Sequence, residues 1–421
     1  MLKEGGSMTE TKKGENRWLI VFGSVIIGLL SGLIYTWSIF VKPLSAEYGW
    51  SVDQAALVGN TMTALYCIGI AIGGLLLPKL GAKKTSLYGS IMFGVGTLVS
   101  GFVKVPVVMF VTYSIVAGLG VGFLYAVGMF VASAWFPEKR GFIMSLYLTA
   151  FGLALTFFTA PINMLLQKYG VQAAFVILGI IYLVVLSLVS IFLMKTPSEE
   201  WLMQHKVEIK SDDKSETMES VTVAEGLKTP QFWLFFAAYF LLIFPYAFIS
   251  SYSVVYLEDQ VGLLSEQAVA IVSTMGIGAA AGRIMGGVLV DRIGCKKTYA
   301  TFCTCSIIGC ILMLTTGSYA SMTIAFIFLA AGFGGRVPVY GVHPIQQFGP
   351  KYSSSLYGFG VPGTSISMIL APLVTAAIRN RTGSFNGAAV VAIVIAIVGM
   401  CCICVFTPRV TPFMKKNGIT E

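Results

Sequence analysis

The sequence predicts an all-α membrane protein with twelve transmembrane helices in two pseudo-symmetric six-helix bundles. The chain has 421 residues, of which 56% are hydrophobic and only 11% are charged, a balance far from that of soluble domains. Apolar runs of about twenty residues recur along its whole length, which is the length that a helix needs to cross a bilayer. The runs are unbroken and do not alternate with polar residues, which excludes the strands of a membrane barrel.

Twelve such spans follow one another along the chain. Their approximate ranges are 18–41, 54–77, 86–103, 107–134, 141–166, 172–194, 231–256, 268–290, 299–316, 322–345, 356–378 and 385–407. We expect residues 18–194 to form an N-terminal six-helix bundle and residues 231–407 a C-terminal one. The remaining segments are polar, so we expect cytoplasmic tails at residues 1–17 and 408–421 and a solvated cytoplasmic linker at residues 195–230.

The distribution of basic residues predicts the orientation in the membrane. The net charge of +9 would also fit a nucleic-acid-binding surface, but 21 of the 28 lysines and arginines fall on the side of the chain termini. The others lie on the opposite side (Lys42, Lys104, Lys168, Arg379, Arg381) or inside apolar spans (Arg283, Arg336). Basic residues concentrate on the cytoplasmic side of membrane proteins. We therefore expect a multi-pass protein of the inner (plasma) membrane of a prokaryote, with both termini cytoplasmic and no nucleic-acid partner.

The two halves of the chain show an internal repeat. The stretch 74–84 after the second span has the same glycine and lysine spacing as the stretch 287–297 after the eighth span, 213 residues later. Ala117-Gly118-Leu119-Gly120 in the fourth span is echoed by Ala331-Gly332-Phe333-Gly334 in the tenth. Parallel six-helix repeats of this kind are typical of membrane transporters.

The second copy of the repeat also carries the motif through which the chain resembles a known family. Residues 287–297 read Gly-x-Leu-x-Asp-Arg-x-Gly-x-Lys-Lys, which resembles the loop motif of the major facilitator superfamily. The resemblance implies a major facilitator fold and a conformational latch formed by Asp291, Arg292 and Lys296. The first copy departs from the motif, because Pro78 replaces the aspartate.

Three further stretches are similar to the oxalate:formate antiporter family and, more distantly, to the monocarboxylate porters. They are Tyr35-Thr36-Trp37-Ser38-Ile39-Phe40, Trp135-Phe136-Pro137-Glu138-Lys139-Arg140-Gly141 and Leu356-Tyr357-Gly358-Phe359. The resemblance covers essentially the whole chain.

Arg283 is the first candidate for substrate binding. A guanidinium keeps its charge, and Arg283 lies eight residues before Asp291, which places it about 12 Å inside the membrane at 1.5 Å per helical residue. One interpretation is that it reaches the membrane surface or bonds to carbonyls of a neighbouring helix. The other is that it holds an anionic substrate, because an arginine fork can bind a carboxylate in bidentate fashion. The resemblance favours the second, since family members carry a substrate-binding arginine at the matching position.

Arg336 is the second cation inside an apolar span. Arg336, Tyr340 and His343 are spaced i, i+4 and i+7, so they share one face of a helix, and such a face is not expected to point at lipid. Arg336 either bonds to backbone groups freed by the neighbouring glycines and Pro338, or it is a second anchor for the anion. Oxalate exchangers of the family carry a lysine at the position that is Thr364 here. Two arginines would favour a dicarboxylate, and one would favour a monocarboxylate such as lactate, pyruvate or formate.

Aromatic side chains are the candidates for shaping the pocket. Tyr35, Trp37, Tyr125 and Tyr357 match positions that line the site in relatives, and a tyrosine hydroxyl can orient a carboxylate while its ring fills apolar volume. Packing without ligand contact is the competing interpretation for each of them.

Coupling to protons has few candidate residues. All 19 aspartates and glutamates lie in tails, loops or span ends, and Ala279 stands where the animal monocarboxylate porters carry an aspartate one turn before the arginine. Exchange of one anion for another needs no proton relay. A proton could otherwise travel with the substrate or through His343, because the unperturbed histidine pKa is near 6.5.

The sequence thus predicts a secondary active transporter of small organic carboxylates by alternating access, working as an anion exchanger or a substrate–proton symporter. A dicarboxylate (oxalate-like) antiporter is the first alternative, and a non-transporting membrane receptor is the alternative from another class. A channel and a sugar or drug carrier fit less well. No catalytic motif, metal ligand set or cofactor motif is present, so we expect no enzyme activity and no cofactor. The expected partners are a carboxylate anion, the lipid bilayer and, in symport, protons; we expect a monomer.

Overall fold

The structure is a computed structural model, and it describes residues 17–136, 140–197, 221–349, 353–360, 362–404 and 412–416. Most of both predicted tails and of the predicted linker lies outside the described residues, as do residues 137–139 of the motif after the fourth span. Within the described ranges the chain is helical and contains no strand. The fold class predicted from the sequence is confirmed.

Twelve long helices are described, and each overlaps one of the predicted spans. Their bounds are Arg17–Tyr48 (α1), 52–80 (α2), 82–100 (α3), Pro106–Ala134 (α4), 140–169 (α5), 171–192 (α6), Pro230–Ser250 with a helical extension to Gln260 (α7), 265–293 (α8), 295–315 (α9), Tyr319–Phe348 (α10), Ser353–Gly360 with Pro362–Thr382 (α11) and Asn386–Cys404 (α12). Two short helices, Val223–Leu227 and Pro412–Lys416, lie before α7 and after α12.

Single glycines divide three pairs of consecutive helices. Gly81, Gly170 and Gly294 have φ of 76°, 78° and 79° with extended ψ, a conformation that is essentially restricted to glycine. Gly81 and Gly294 occupy equivalent positions in the two copies of the sequence repeat. Thr85 and Thr298 each follow four residues later and donate a 2.9 Å hydrogen bond to the glycine carbonyl. The sequence repeat is therefore also a repeat of backbone geometry.

Length and apolarity make the long helices suitable for a membrane. Eight continuous helical stretches of the described chain are long and apolar enough to cross a bilayer. Two of them, Leu146–Phe192 and Ser265–Thr315, include the bends at Gly170 and Gly294 and so each supply two helices.

Glycines also bring helices together inside each bundle, defined here as α1–α6 and α7–α12. A β-carbon on Gly122 of α4 would lie 2.4 Å from the backbone of Gly69 in α2. In the second bundle, a β-carbon on Gly334 of α10 would lie 2.1 Å from the Ala279 carbonyl oxygen in α8. Such small-residue contacts let helix backbones pack closely in lipid, where apolar side chains gain little by meeting one another.

The two bundles meet along α2 with α11 and along α5 with α8. Ser365 of α11 donates a 2.9 Å hydrogen bond to the carbonyl of Ala64 in α2. Thr156 of α5 donates a 2.8 Å hydrogen bond to the carbonyl of Ser273 in α8. These bonds hold together helices that lie in different halves of the chain.

Ion pairs join the bundles at one end of the molecule, which we call the far end. The opposite end, where α1 begins and α6 ends, is the near end. Lys42 of α1 lies 2.5 Å from carboxylate oxygens of both Glu258 and Asp259, which lie in the helical extension of α7. On the other side of the same end, Asp53 of α2 accepts hydrogen bonds from Tyr252 (2.9 Å) and Asn380 (3.0 Å). The structure is thus a conformation in which the far end is closed.

Arg379 adds a third contact to Asp53. Its Nη1 lies 3.6 Å from the Asp53 carboxylate, and both side chains keep about a quarter of their surface exposed. In these ion pairs the amino-terminal bundle contributes Lys42 and Asp53, and the carboxy-terminal bundle contributes the groups of opposite charge.

Candidate functional site

Arg283 lies where α8 of the second bundle contacts α5 of the first. Its side chain is 8% exposed, and its Nη1 donates a short hydrogen bond to the carbonyl oxygen of Leu148 in α5. Its Nε is buried and has no hydrogen-bond partner within the described part of the chain. The guanidinium is thus held through Nη1, and its buried Nε–H is left without an acceptor in the described chain.

A group of aromatic rings, which we call the aromatic box, surrounds this position from both bundles. Its members are Tyr35, Tyr66, Tyr125, Tyr147 and Phe151 from the first bundle and Tyr246 and Phe333 from the second. The Tyr35 ring lies 5.5 Å from Phe151, 6.4 Å from Tyr246 and 5.9 Å from Phe333, so it touches both bundles.

Polar groups of the aromatic box lie close to the guanidinium. The charge of Arg283 acts on the hydroxyls of Tyr35, Tyr125, Tyr147 and Tyr246. The Tyr147 hydroxyl is buried without a hydrogen-bond partner in the described chain. A cation and several hydroxyl groups in an otherwise apolar enclosure can hold a small anion.

A small cavity lies on the far-end side of Tyr35. It has a volume of about 10 Å³, which is enough for about one water molecule. Its walls include the hydroxyl-bearing side chains Thr63, Ser250 and Ser251. This narrow space separates the aromatic box from the closed far end.

Trp37 lines the same cavity, but its hydrogen bond and its ring stacking are with residues of the first bundle. It is 3% exposed, and its indole N–H donates a 2.8 Å hydrogen bond to the carbonyl of Ala55. Its ring stacks on Tyr113 at 4.7 Å. These contacts fix α1 against α2 and α4.

Arg336 bonds within the second bundle. Its Nε donates a short hydrogen bond to the carbonyl of Gly332 on its own helix, and its Nη2 lies 3.4 Å from the Ser306 hydroxyl on α9. The side chain is only 1% exposed, and its Nη1 has no partner among the described residues. Both of its hydrogen bonds thus point into the bundle that carries it, whereas that of Arg283 crosses to the other bundle.

Tyr340 and His343 share the environment of Arg336. The Tyr340 ring stacks on Tyr239 of α7 at 3.7 Å, and the His343 imidazole stacks on Phe235 at 5.4 Å. Tyr357 of α11 lies 6.0 Å from Tyr239, and it is close enough to Tyr125 of the first bundle to act on its hydroxyl. Tyr357 therefore connects this second aromatic group to the aromatic box.

The remaining predicted residues lie on α11 and around the bend between α8 and α9. Thr364 is 9% exposed on α11, next to the inter-bundle bond made by Ser365. Asp291 and Arg292 are exposed at the near end, and Lys296 is half-buried and acts electrostatically on His343. In the closed-far-end conformation the structure thus brings Tyr35 and Tyr125 to Arg283, and it places Arg336, Tyr340 and His343 elsewhere.

Several site residues have no counterpart in the sequence-based prediction. They are Tyr66, Tyr147, Phe151, Tyr246 and Phe333 of the aromatic box, and Leu148 and Gly152, which face Arg283 from α5. Tyrosines inside an apolar span give a usable signal, because a buried phenol hydroxyl needs a partner. Leu148 and Gly152 give no such signal in the sequence. Leu148 contacts Arg283 through its backbone carbonyl, and Gly152 matters because it has no side chain.

Outside the membrane helices, Glu225 joins the segment before α7 to the segment after α12. It caps the helix Val223–Leu227 by accepting the Thr222 backbone N–H, and it lies 2.9 Å from Lys416. These contacts, the Thr222 backbone hydrogen bond first, lower the pKa of Glu225 from an ordinary 4.5 to about 2.

Two helical bundles around a central buried cation, with a closed far end, define the architecture of a polytopic membrane transporter. The family model of the Major Facilitator Superfamily matches residues 20–335 and 259–421. The chain belongs to this superfamily.

Individual relatives agree with this classification. The chain is 26% identical over 406 residues to the oxalate:formate antiporter of Oxalobacter formigenes, covering 95% of this chain and 94% of that protein. It is 26% identical over 172 residues to monocarboxylate transporter 9 of Pongo abelii, covering 40% of this chain and 34% of that one. The resemblance stated from the motifs is thereby confirmed.

A solved structure supports the fold. The crystal structure of a peptide transporter POT in complex with alafosfalin matches with a TM-score of 0.67 and 14% identity, covering 92% of this chain and 94% of that one. The family and these relatives are transporters, in agreement with the prediction that the chain is not an enzyme. They also speak against the receptor alternative.

Proposed function

We propose that the protein is a secondary active transporter of small organic carboxylate anions, and that Arg283 binds the carboxylate. The observation that carries this proposal is the buried Arg283 guanidinium between the bundles, whose Nε has no partner in the described chain. Removing a charge from water costs several kcal/mol unless a counter-charge and hydrogen bonds compensate. A substrate carboxylate would supply both.

The aromatic box supports a small ligand. The Tyr147 hydroxyl and the Arg283 Nε are two buried polar groups without partners in the same region, and each costs roughly 1–3 kcal/mol while it stays unpaired. A carboxylate on the guanidinium could accept from a hydroxyl as well, while the rings of Tyr35 and Phe151 enclose its apolar end. We infer that Tyr35, Tyr125 and Tyr357 line the substrate path, and that Thr364 belongs to the wall contributed by α11.

We infer a monocarboxylate, such as lactate, pyruvate or formate. The hydrogen bonds of Arg336 to Gly332 and Ser306 favour a role in holding α10 against α9, which leaves Arg283 as the cation between the bundles. In this reading Trp37 and Tyr340 support the site through packing and do not bind substrate.

A dicarboxylate antiporter is the second candidate, and the similarity to the oxalate:formate antiporter favours it. It would require Arg336 to turn towards the aromatic box and act as a second anchor. Anion exchange is the coupling mode that needs no carboxylate relay; substrate–proton symport would use His343 as the proton site. Asp291, Arg292 and Lys296 would act as the near-end latch.

The charge distribution supports the proposed orientation in the membrane, and the relative from Oxalobacter formigenes supports a prokaryotic setting. We infer a prokaryotic inner membrane, cytoplasmic termini and a monomer, so that the far end faces outward. Labelling of a single cysteine at Lys104→Cys in intact cells tests the orientation, since an impermeant reagent reaches it only from outside.

Counterflow in proteoliposomes tests the function. Vesicles preloaded with lactate, formate or oxalate should take up the same labelled anion faster than empty vesicles. Arg283→Lys and Arg283→Gln should abolish this uptake, because neither side chain presents the arginine fork. Arg381→Gln is the matched control, since Arg381 is exposed at the far end and should leave uptake unchanged.

Arg336→Gln separates the two substrate classes. If the substrate is a monocarboxylate, we expect the folded fraction of the Arg336→Gln protein to keep its uptake of lactate or formate. Selective loss of oxalate uptake would favour the dicarboxylate alternative. Undiminished uptake in both Arg283 variants would refute the proposed site.

A further inference from the structure

Gly152 of α5 faces the guanidinium of Arg283 directly. A β-carbon at position 152 would lie 2.3 Å from Nη1 and 3.3 Å from Cζ of Arg283. The first distance is far shorter than any non-bonded contact of a carbon atom, so a side chain at position 152 would force the guanidinium out of its observed position. We propose that Gly152 is a positioning residue, and that its missing side chain creates the notch in which Arg283 is held.

Helix geometry explains why the notch must be at this residue. In an α-helix the carbonyl of residue i accepts the N–H of residue i+4, and side chains lean towards the amino terminus. The side chain of residue i+4 therefore covers the carbonyl of residue i. Leu148 and Gly152 have this spacing. Because position 152 has no side chain, the second lone pair of the Leu148 carbonyl is open to Arg283 Nη1.

A second glycine, on α8, allows α8 to approach α5 closely enough for Arg283 to reach the Leu148 carbonyl. A β-carbon on Gly276 of α8 would lie 2.2 Å from the Thr156 hydroxyl oxygen and 3.0 Å from the Gly152 carbonyl oxygen. Gly276 lies seven residues before Arg283, two turns earlier on the same face of α8. The close crossing of α5 and α8 at Gly276 thus brings the Arg283 side chain within reach of the Leu148 carbonyl.

The notch determines which edge of the guanidinium meets a ligand. With Nη1 bonded to Leu148, the edge formed by Nε and Nη2 is the one left for a bidentate carboxylate. A bound carboxylate would then be linked through one arginine to both bundles. This last step rests on the proposed function, whereas the notch itself does not.

A double-mutant cycle that needs no ligand tests the notch. Thermal unfolding in detergent is measured for the unsubstituted protein, Gly152→Ala, Arg283→Met and the double variant. Methionine keeps the apolar stem but ends before the guanidinium. Gly152→Ala should lower the melting temperature by a few degrees when arginine is present and by less than half as much beside methionine. Gly287→Ala is the control, since a β-carbon there meets nothing within 4 Å and should act equally in both backgrounds.

The possible results separate this inference from the proposed function. Equal losses in both backgrounds would overturn the notch, because Gly152 would then matter only for helix packing. If Gly152→Ala does not fold, recovery of folded protein in the double variant supports the notch, and failure of both overturns it.

Transport of lactate gives a second readout. Gly152→Ala should raise the KM for lactate counterflow about tenfold or more with a smaller change in kcat, since a displaced guanidinium weakens binding. If Gly152→Ala and Arg283→Met show coupling in thermal unfolding but no transport of lactate, formate or oxalate is detected, the notch is supported and the carboxylate substrate is refuted.

Discussion

Replacing Asp53 by asparagine should open the far end of the molecule. Asparagine has nearly the same shape as aspartate, so the change removes the negative charge and turns one of the two accepting oxygens into an N–H donor. Asp53 accepts hydrogen bonds from Tyr252 and Asn380 on the other bundle and pairs with Arg379 at 3.6 Å. All three partners belong to the second bundle, so these contacts form only when the far end is closed. Weakening them therefore destabilises the closed conformation and leaves the open one unaffected.

The magnitude follows from the type and exposure of these contacts. A charged acceptor adds about 1 kcal/mol to each of the two hydrogen bonds. The ion pair with Arg379 is partly exposed and screened, so it adds about 0.5 kcal/mol. The sum of these losses, about 2.5 kcal/mol, lowers the ratio of closed to open far ends about 70-fold.

Spin-label distance measurements can detect this shift. Labels at Lys104→Cys and Ser318→Cys, exposed far-end positions on different bundles, should show a longer distance component in Asp53→Asn. Glu266→Gln is a suitable control, because Glu266 is an exposed carboxylate near the same end. An unchanged distance distribution in Asp53→Asn would show that these contacts do not hold the far end closed.

Three further predictions concern single residues. Gly294→Ala should destabilise the protein by about 1–3 kcal/mol in thermal unfolding, because φ is 79° there, whereas Gly287→Ala should cost clearly less; equal losses would contradict the backbone argument. Lys416→Ala should raise the pKa of Glu225 from about 2 but leave it below 4.5, as followed by carboxyl NMR titration, since the larger backbone contribution remains. Because this pKa is lowered on folding, the Glu225 contact stabilises the protein above about pH 4.5 and is lost as the pH falls towards 2; a value unaffected by Lys416→Ala would rule out the pairing. Tyr147→Phe should raise the melting temperature of the ligand-free protein but reduce its stabilisation by lactate, since the orphaned hydroxyl costs about 1–3 kcal/mol until a ligand accepts from it; unchanged lactate stabilisation would exclude that hydroxyl from the site.

The fold could be predicted from the sequence because its determinants are local. Span length and apolarity predict helices without reference to the rest of the chain, and the repeat of Gly81 at Gly294 marks equivalent bends. The membrane position of Arg283 could be predicted in the same way, by counting helical rise from Asp291.

The partners of the charged side chains could not be predicted, because they depend on which helices are neighbours. Leu148 lies 135 residues from Arg283, and Asp259 lies 217 residues from Lys42. Arg336 is an example. Its spacing in the sequence places it on one helix face with Tyr340, but only the packing of α9 against α10 shows that the Ser306 hydroxyl accepts a hydrogen bond from its Nη2.

The charges at the far end have a consequence for the conditions under which the protein works. The side chains of Lys42, Asp259 and Asp53 remain 34%, 48% and 24% exposed, so dissolved ions reach them even when the bundles are closed. At physiological ionic strength the screening length is about 8 Å, and it shortens as salt is added. We therefore expect high salt to weaken the ion pairs that join the bundles at the far end, and low salt to strengthen them.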